Sequence, residues 1–194
     1  MTILLTIVYS LLAVTGIAYL EFRYKMRPAR LDVYDIIRNG MWTTNRRGEG
    51  SAEALRIHRA RIARYTGFGM DRTEAIYWGT SEDSRGEPLD CSNTYRIDGI
   101  DPDTRWLCMT VYQDQFFIPN LFDRYSFSRT DVQRNSDDSW AIKISAKEQS
   151  GSWIQLGNAT GPFHLTFRCY NPGNSMIEKS EAAQLPVITR EEAP

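Results

Sequence analysis

Few residues in this sequence have the type and spacing to do chemistry. Glu82, Asp83, Glu87 and Asp90 form one acidic cluster. Paired acids at a fixed separation hydrolyse glycosidic bonds, and oxygen-rich turns hold calcium. The intervening SRGEP, however, is hairpin-turn chemistry, and Arg85 in the midst of the acids suits neither role, so no catalytic or metal site is expected there. The two histidines, His58 and His164, have no Cys, Asp or Glu at metal-ligand spacing, which argues against zinc or non-haem iron. A G-x-S-x-G nucleophile elbow is absent. Cys91, Cys108 and Cys169 lie within or beside apolar runs, where thiols pack as small hydrophobes with a raised pKa. They are too few and too widely spaced for a disulfide framework. The best polar constellation is Asn120, Arg124 and Tyr125, following the apolar FFIP. Together they offer an amide, a planar guanidinium fork and a ring with a hydroxyl, a set suited to carboxylate or sugar oxygens. The competing reading is that Asn120 and Arg124 satisfy backbone groups. No cofactor is expected: there is no C-x-x-C-H, and neither histidine lies in the apolar N-terminal run.

The elements that must position these residues change period along the chain. Leu55, His58, Ile62 and Tyr65 share one face of a helix predicted over 52–66, with Arg56, Arg59, Arg61 and Arg64 on the remainder. Those arginines read as a solvated face or as contacts for lipid headgroups. Beyond Gly67, short β-rich runs follow at 74–80, 92–98, 105–112, 124–128, 140–145 and 162–170, separated by turn signals such as GIDPD and NSDD. Trp106, Cys108, Thr110 and Tyr112 alternate with Leu107, Met109 and Val111, while Phe163, Leu165, Phe167 and Cys169 alternate with His164, Thr166, Arg168 and Tyr170. Strands at this spacing, without helices between them, predict a mainly β protein: an antiparallel sandwich or jelly roll over 51–194. The stretch 40–50 reads as irregular chain, part of a linker over 27–50, and Leu185, Val187 and Ile188 are expected to pack near the end.

From Ile3 to Leu20 no residue is charged. A helix of that length approaches the hydrocarbon thickness of a bilayer. No basic residue precedes the run and it exits through bulky side chains, so a retained anchor over 1–26 is favoured over a cleaved signal. Tyr19, Phe22 and Tyr24 are placed at headgroup level, with Arg23, Lys25 and Arg27 at the polar boundary. Ser10, Ala13, Thr15, Gly16 and Ala18 would permit close contact with other helices. The basic flank after the helix favours a cytoplasmic domain by the positive-inside tendency. Lys+Arg 23 against Asp+Glu 24 gives a net charge of -1, which removes the usual attraction to nucleic acid.

The order of motifs is specific as a set. GMWTTN, the basic helix and EAIYW are followed by D-x-x-G-x-P-L-D at 83–90, Tyr95 and Gly99; then come RWLCMTVY, FFIPN, RYS, W-x-I-x-I-S, GPFHLTFRCYNP and LPVITRE. From Gly40 to Glu191 the chain resembles the bacterial family known as domain of unknown function twelve-fourteen, in particular its small single-helix members. The resemblance implies a jelly-roll-like sandwich attached to or exported across the inner membrane, and it carries no activity. It tilts the domain towards the periplasm, although typical members have their basic residues before the helix. The resulting expectation is a non-enzymatic, single-pass accessory subunit. It would stabilise a larger complex of integral membrane proteins, such as a photosynthetic reaction centre with its antenna or another energy-transducing assembly. The alternative is a periplasmic ligand-binding module or hydrolase acting on a sugar or lipid through Asn120, Arg124 and Tyr125.

Overall fold

A computed structural model describes residues 2–25, 35–48, 50, 56–65 and 69–191. Helix α1, Thr2–Lys25, is uncharged and apolar all round from Ile3 to Leu20, and its described side chains are exposed. Such a helix has no inward stripe with which to join a soluble core. Its segment Ile3–Tyr24 is long and apolar enough to cross a membrane, a property that an anchor and a signal sequence share. Within it, the Thr15 hydroxyl donates to the Leu11 carbonyl at 2.7 Å, so that polar group is satisfied inside the helix.

The stretch read from sequence as irregular chain instead forms a hairpin, β1 (Ile36–Asn39) with β2 (Trp42–Asn45). Gly40 takes the left-handed conformation needed at its turn. Long-range contacts hold this hairpin. The Asn39 amide donates to the carbonyls of Ser180 and Ala183, and the Trp42 indole donates to the carbonyl of Pro186 at 2.7 Å. Arg72 is buried between these layers, donating to the Asn45 carbonyl at 2.6 Å and to the Ser180 hydroxyl. Burial, then the nearby Arg46, pushes its pKa below the ordinary arginine value, against the opposing pull of Glu181. Helix α2, Arg56–Tyr65, lies between the hairpin and the remaining strands in sequence.

The strands that follow are β3 (Ala75–Thr80), β4 (Thr94–Gly99), β5 (Thr104–Tyr112), β6 (Ser126–Ser128), β7 (Trp140–Ser145), β8 (Trp153–Gln155), β9 (His164–Pro172) and β10 (Val187–Glu191). Helix α3, Asn174–Glu178, and a 3-10 turn at Ser180–Ala182 precede β10. One sheet has the order β1-β2-β3-β9-β5-β6 and the other β10-β4-β7-β8. All pairs are antiparallel except β7 with β8. The chain passes repeatedly from one sheet to the other, as expected of a jelly-roll-like sandwich.

Alternation along the strands decides which face is buried. The large sheet contributes Trp78, Leu107, Met109, Leu165 and Phe167, and the small sheet contributes Ile97, Trp140, Ile142, Ile144 and Ile188. Phe167 lies between Trp42 and Trp140, with ring centroids 6.1 and 6.3 Å away. Gly99 pairs with Trp140, and a Cβ there would come within 2.5 Å of the indole. Near the end of the chain, Ile188 is buried but Val187 is exposed, because consecutive strand residues face opposite sides. Cys91 and Cys169 are buried and Cys108 is half-buried; all three are free thiols. Burial raises the pKa of Cys169 strongly and that of Cys91 more modestly.

Candidate functional site

The outer face of the large sheet carries the side chains left over after β3, β5 and β9 have filled the core. Four rings on this face and the adjoining loop are joined in a ladder. His164 stacks on Tyr112 at 5.5 Å, Tyr112 on Phe117 at 5.2 Å, and Phe117 on Tyr125 at 4.9 Å. Arg168 donates to the hydroxyls of Thr110 and Tyr112, both at 2.7 Å, and its guanidinium carbon lies 5.5 Å from the centroid of the Tyr112 ring. The arginine is thereby fixed by two hydrogen bonds and one aromatic face. Burial lowers the pKa of His164 and outweighs the attraction of Asp114, so its imidazole is neutral near pH 7.

The ladder leads into the loop between β5 and β6. Asp114 and Gln115 both adopt positive φ, 47° and 72°, in the two-residue turn that pairs Gln113 with Phe116. Such a turn ordinarily uses Asn-Gly, so two non-glycine residues here hold conformational strain. The loop then presents Phe116, Leu121 and Phe122, which are 75%, 85% and 63% exposed. Its shape is nevertheless defined. The Gln155 side chain accepts from the Leu121 amide at 3.0 Å, and Phe122 meets Trp153 edge-on at 5.6 Å.

Asn120, Arg124 and Tyr125 are brought together in this same loop, where each has a partner. Asn120 donates to the carbonyls of Ile118 and Arg124 and accepts from the amides of Phe122 and Arg124. Arg124 pairs with Asp131 at 2.7 Å and lies over the Phe127 ring. The Tyr125 hydroxyl donates to Asp123 at 2.9 Å, which raises the tyrosine pKa. Thus the three residues that the sequence offers as a ligand set also build the loop that displays the apolar side chains.

The acidic cluster folds into its own turns. Asp83 is buried, and one of its carboxylate oxygens accepts from the amides of Arg85 and Glu87. The other has no hydrogen bond and faces only Arg85, 3.8 Å away. Asp90 accepts from the Ser92 hydroxyl and amide, which hold its carboxyl below the usual range. Among the described residues, no group of three or more His, Cys, Asp or Glu side chains could hold a metal.

A separate groove of about 340 Å³ opens on the outer face where β2, β3 and β9 meet. Arg38, Thr43, Gly79, Ser81, Glu82 and His164 line it. Sequence reasoning missed this site, because Arg38 and His164 are distant in the chain and only the sheet order joins them.

Towards the end of α1, Tyr19, Phe22 and Tyr24 are exposed, and Arg23 reaches back over the Tyr19 ring, 5.9 Å from its centroid. Arg56, Arg59 and Arg64 are exposed on α2. Arg27 and the side chains of Lys25, His58 and Arg61 lie outside the described residues, as do 51–55 at the start of the predicted basic helix.

Two sheets packed face to face, preceded by an apolar N-terminal helix, define a β-sandwich. The chain belongs to the family described as protein of unknown function (DUF1214), whose sequence model matches residues 74–174. That span runs from β3 into α3, so the match concerns the sandwich and does not include α1. Among solved structures, the chain is similar to the VPA0106 protein from Vibrio parahaemolyticus, at 23% identity and a TM-score of 0.59, over 72% of this chain and 36% of that one. It is also similar to an uncharacterised protein from Burkholderia cenocepacia, at 16% identity and a TM-score of 0.44, over 93% of this chain and 44% of that one. The chain therefore spans less than half the length of either. The first likeness supports the sandwich fold and nothing finer. No curated protein matches.

Proposed function

We propose that this protein is a non-enzymatic accessory subunit, anchored by α1 in the bacterial inner membrane with its sandwich in the periplasm, where it docks on integral membrane proteins. The observation that carries this reading is the β5–β6 loop. It devotes Asn120, a strained turn and a side-chain contact from Gln155 to holding Phe116, Leu121 and Phe122 in water. Exposed apolar side chains on an ordered scaffold gain free energy only when a partner covers them. The link from residue 25 to residue 35 spans at most about 35 Å. A spanning α1 would thus keep the sandwich within reach of the bilayer and its proteins. Small residues along α1 suit contact with neighbouring helices, and Arg56, Arg59, Arg61 and Arg64 suit lipid headgroups. A photosynthetic reaction centre with its antenna, or another energy-transducing assembly, is the kind of host this arrangement fits.

The competing reading, a ligand-binding module or hydrolase acting on a sugar or lipid through Asn120, Arg124 and Tyr125, draws less support, because those side chains already have partners nearby. The test is purification of the full chain from its native membrane in mild detergent, followed by identification of co-eluting proteins. A stoichiometric membrane protein is the expected companion. Elution alone defeats the subunit reading, and a mature soluble chain lacking α1 defeats the anchor.

A further inference from the structure

The groove over β2, β3 and β9 is independent of the loop and carries its own chemistry. It is lined by Gly79, the penultimate residue of β3. Packing does not demand a glycine there: a Cβ would find its nearest neighbour, the Leu165 carbonyl oxygen, at 4.0 Å. This contrasts with Gly99, where Trp140 fills the space. A glycine inside a strand that no neighbour requires leaves room for another molecule to approach the backbone. One wall is His164. Tyr112 covers one face of the imidazole, from β5, while β3 and the groove lie on the opposite side of β9. The uncovered face is therefore turned to the groove, and burial keeps the ring uncharged.

The rim is polar and uncommitted. Arg38, Ser81 and Glu82 line the groove, and among the described residues none of their side chains makes a hydrogen bond or ion pair. By contrast, Arg96 is paired with Asp98, Arg124 with Asp131 and Arg134 with Asp101. A free guanidinium and a free carboxylate on one rim disfavour a charged ligand of either sign. They do suit a neutral one bearing both donors and acceptors. A flat uncharged ring face beside such a rim complements the apolar face of a pyranose, and the volume lies at the low end for small-molecule sites.

We propose that this groove binds a neutral pyranose sugar, seated on the His164 imidazole above Gly79, with its hydroxyls shared among Arg38, Ser81 and Glu82. The two histidines make this directly observable, since their ring proton resonances are distinguished by a His58→Gln variant. The full chain, in a detergent without a sugar headgroup, is titrated with the methyl glycosides of glucose, galactose, mannose and N-acetylglucosamine to about 10 mM, tenfold above a millimolar Kd. At least one glycoside is expected to shift the His164 resonances saturably, while acetate and phosphate do not. Gly79→Val, which fills that part of the groove with a good strand former, is expected to weaken that response at least tenfold. Arg38→Met and Glu82→Gln, both at exposed positions, are expected to do the same and keep the test valid should Gly79→Val fail to fold. The proposal is overturned if no glycoside shifts His164, if only the anions do, or if the folded variants respond like the parent.

Discussion

Replacing Phe116, Leu121 and Phe122 together by serine tests the reading of the β5–β6 loop most directly. Their exposures of 75%, 85% and 63% amount to a little over two fully exposed large apolar side chains. Covering that surface is worth about 3–6 kcal/mol at the usual value for each side chain. Association realises only part of this, because ordering and desolvation costs are subtracted. Even half of it, at about 1.4 kcal/mol per decade, leaves a partner bound some tenfold to a hundredfold more weakly. The fold should hardly notice. Within the domain, the serines remove the edge-on packing of Phe122 against Trp153, worth about 1 kcal/mol, which for a chain of this size lowers the Tm by about 2–4 °C. The assay compares tagged parent and triple variant, extracted from native membranes in mild detergent, by quantifying co-purified proteins and measuring Tm on the same samples. Loss of the companions with a nearly unchanged Tm is expected. Full retention of the companions would refute the docking role, and a collapse in Tm would show that these side chains serve the fold instead.

Other substitutions probe the scaffold. Arg72→Met removes two hydrogen bonds from a charged donor but also the cost of burying that charge; a net loss of about 2–3 kcal/mol is expected, read as a lower denaturant midpoint. Gly99→Ala drives a methyl into the Trp140 indole and should cost about 1–3 kcal/mol by the same measurement. Asp114→Asn with Gln115→Gly relieves the two positive φ angles and should raise the Tm by about 2–4 °C, for roughly 1 kcal/mol of strain released. His164 adds a pH dependence of defined sign. Because burial depresses its folded pKa, the unfolded chain binds the proton more tightly. Its contribution is complete above the unfolded value near 6.5 and declines as pH falls towards the depressed folded value. His164→Gln should flatten stability curves over that acidic window, and an unchanged slope would contradict the assignment.

How much of this was legible beforehand depended on how far apart the interacting residues lie. The alternation of β5 and β9 is a local property, and it correctly divided Leu107, Met109, Leu165 and Phe167 from Cys108, Thr110, Thr166 and Arg168. The hairpin at residues 36–45 was not readable in that way. Its strands are only four residues each, and its anchors, the carbonyls of Ser180 and Pro186, lie more than a hundred residues away. Arg72 was invisible for the same reason, as its partner Ser180 is 108 residues distant. In the loop, FFIPN announced an apolar stretch beside polar residues, but which of them would face water depended on the turn at Asp114 and Gln115.

By itself the sequence determined the apolar helix, the sandwich class and the family, because periodicity, length and motif order are written along the chain. Only the tertiary structure decided that Arg38 and His164 share a groove, that Arg124 is spoken for by Asp131, and that Phe116 and Leu121 are left uncovered. Those outcomes depend on which strands become neighbours. Strand order is selected by the burial of the whole core, and no local stretch of residues encodes it.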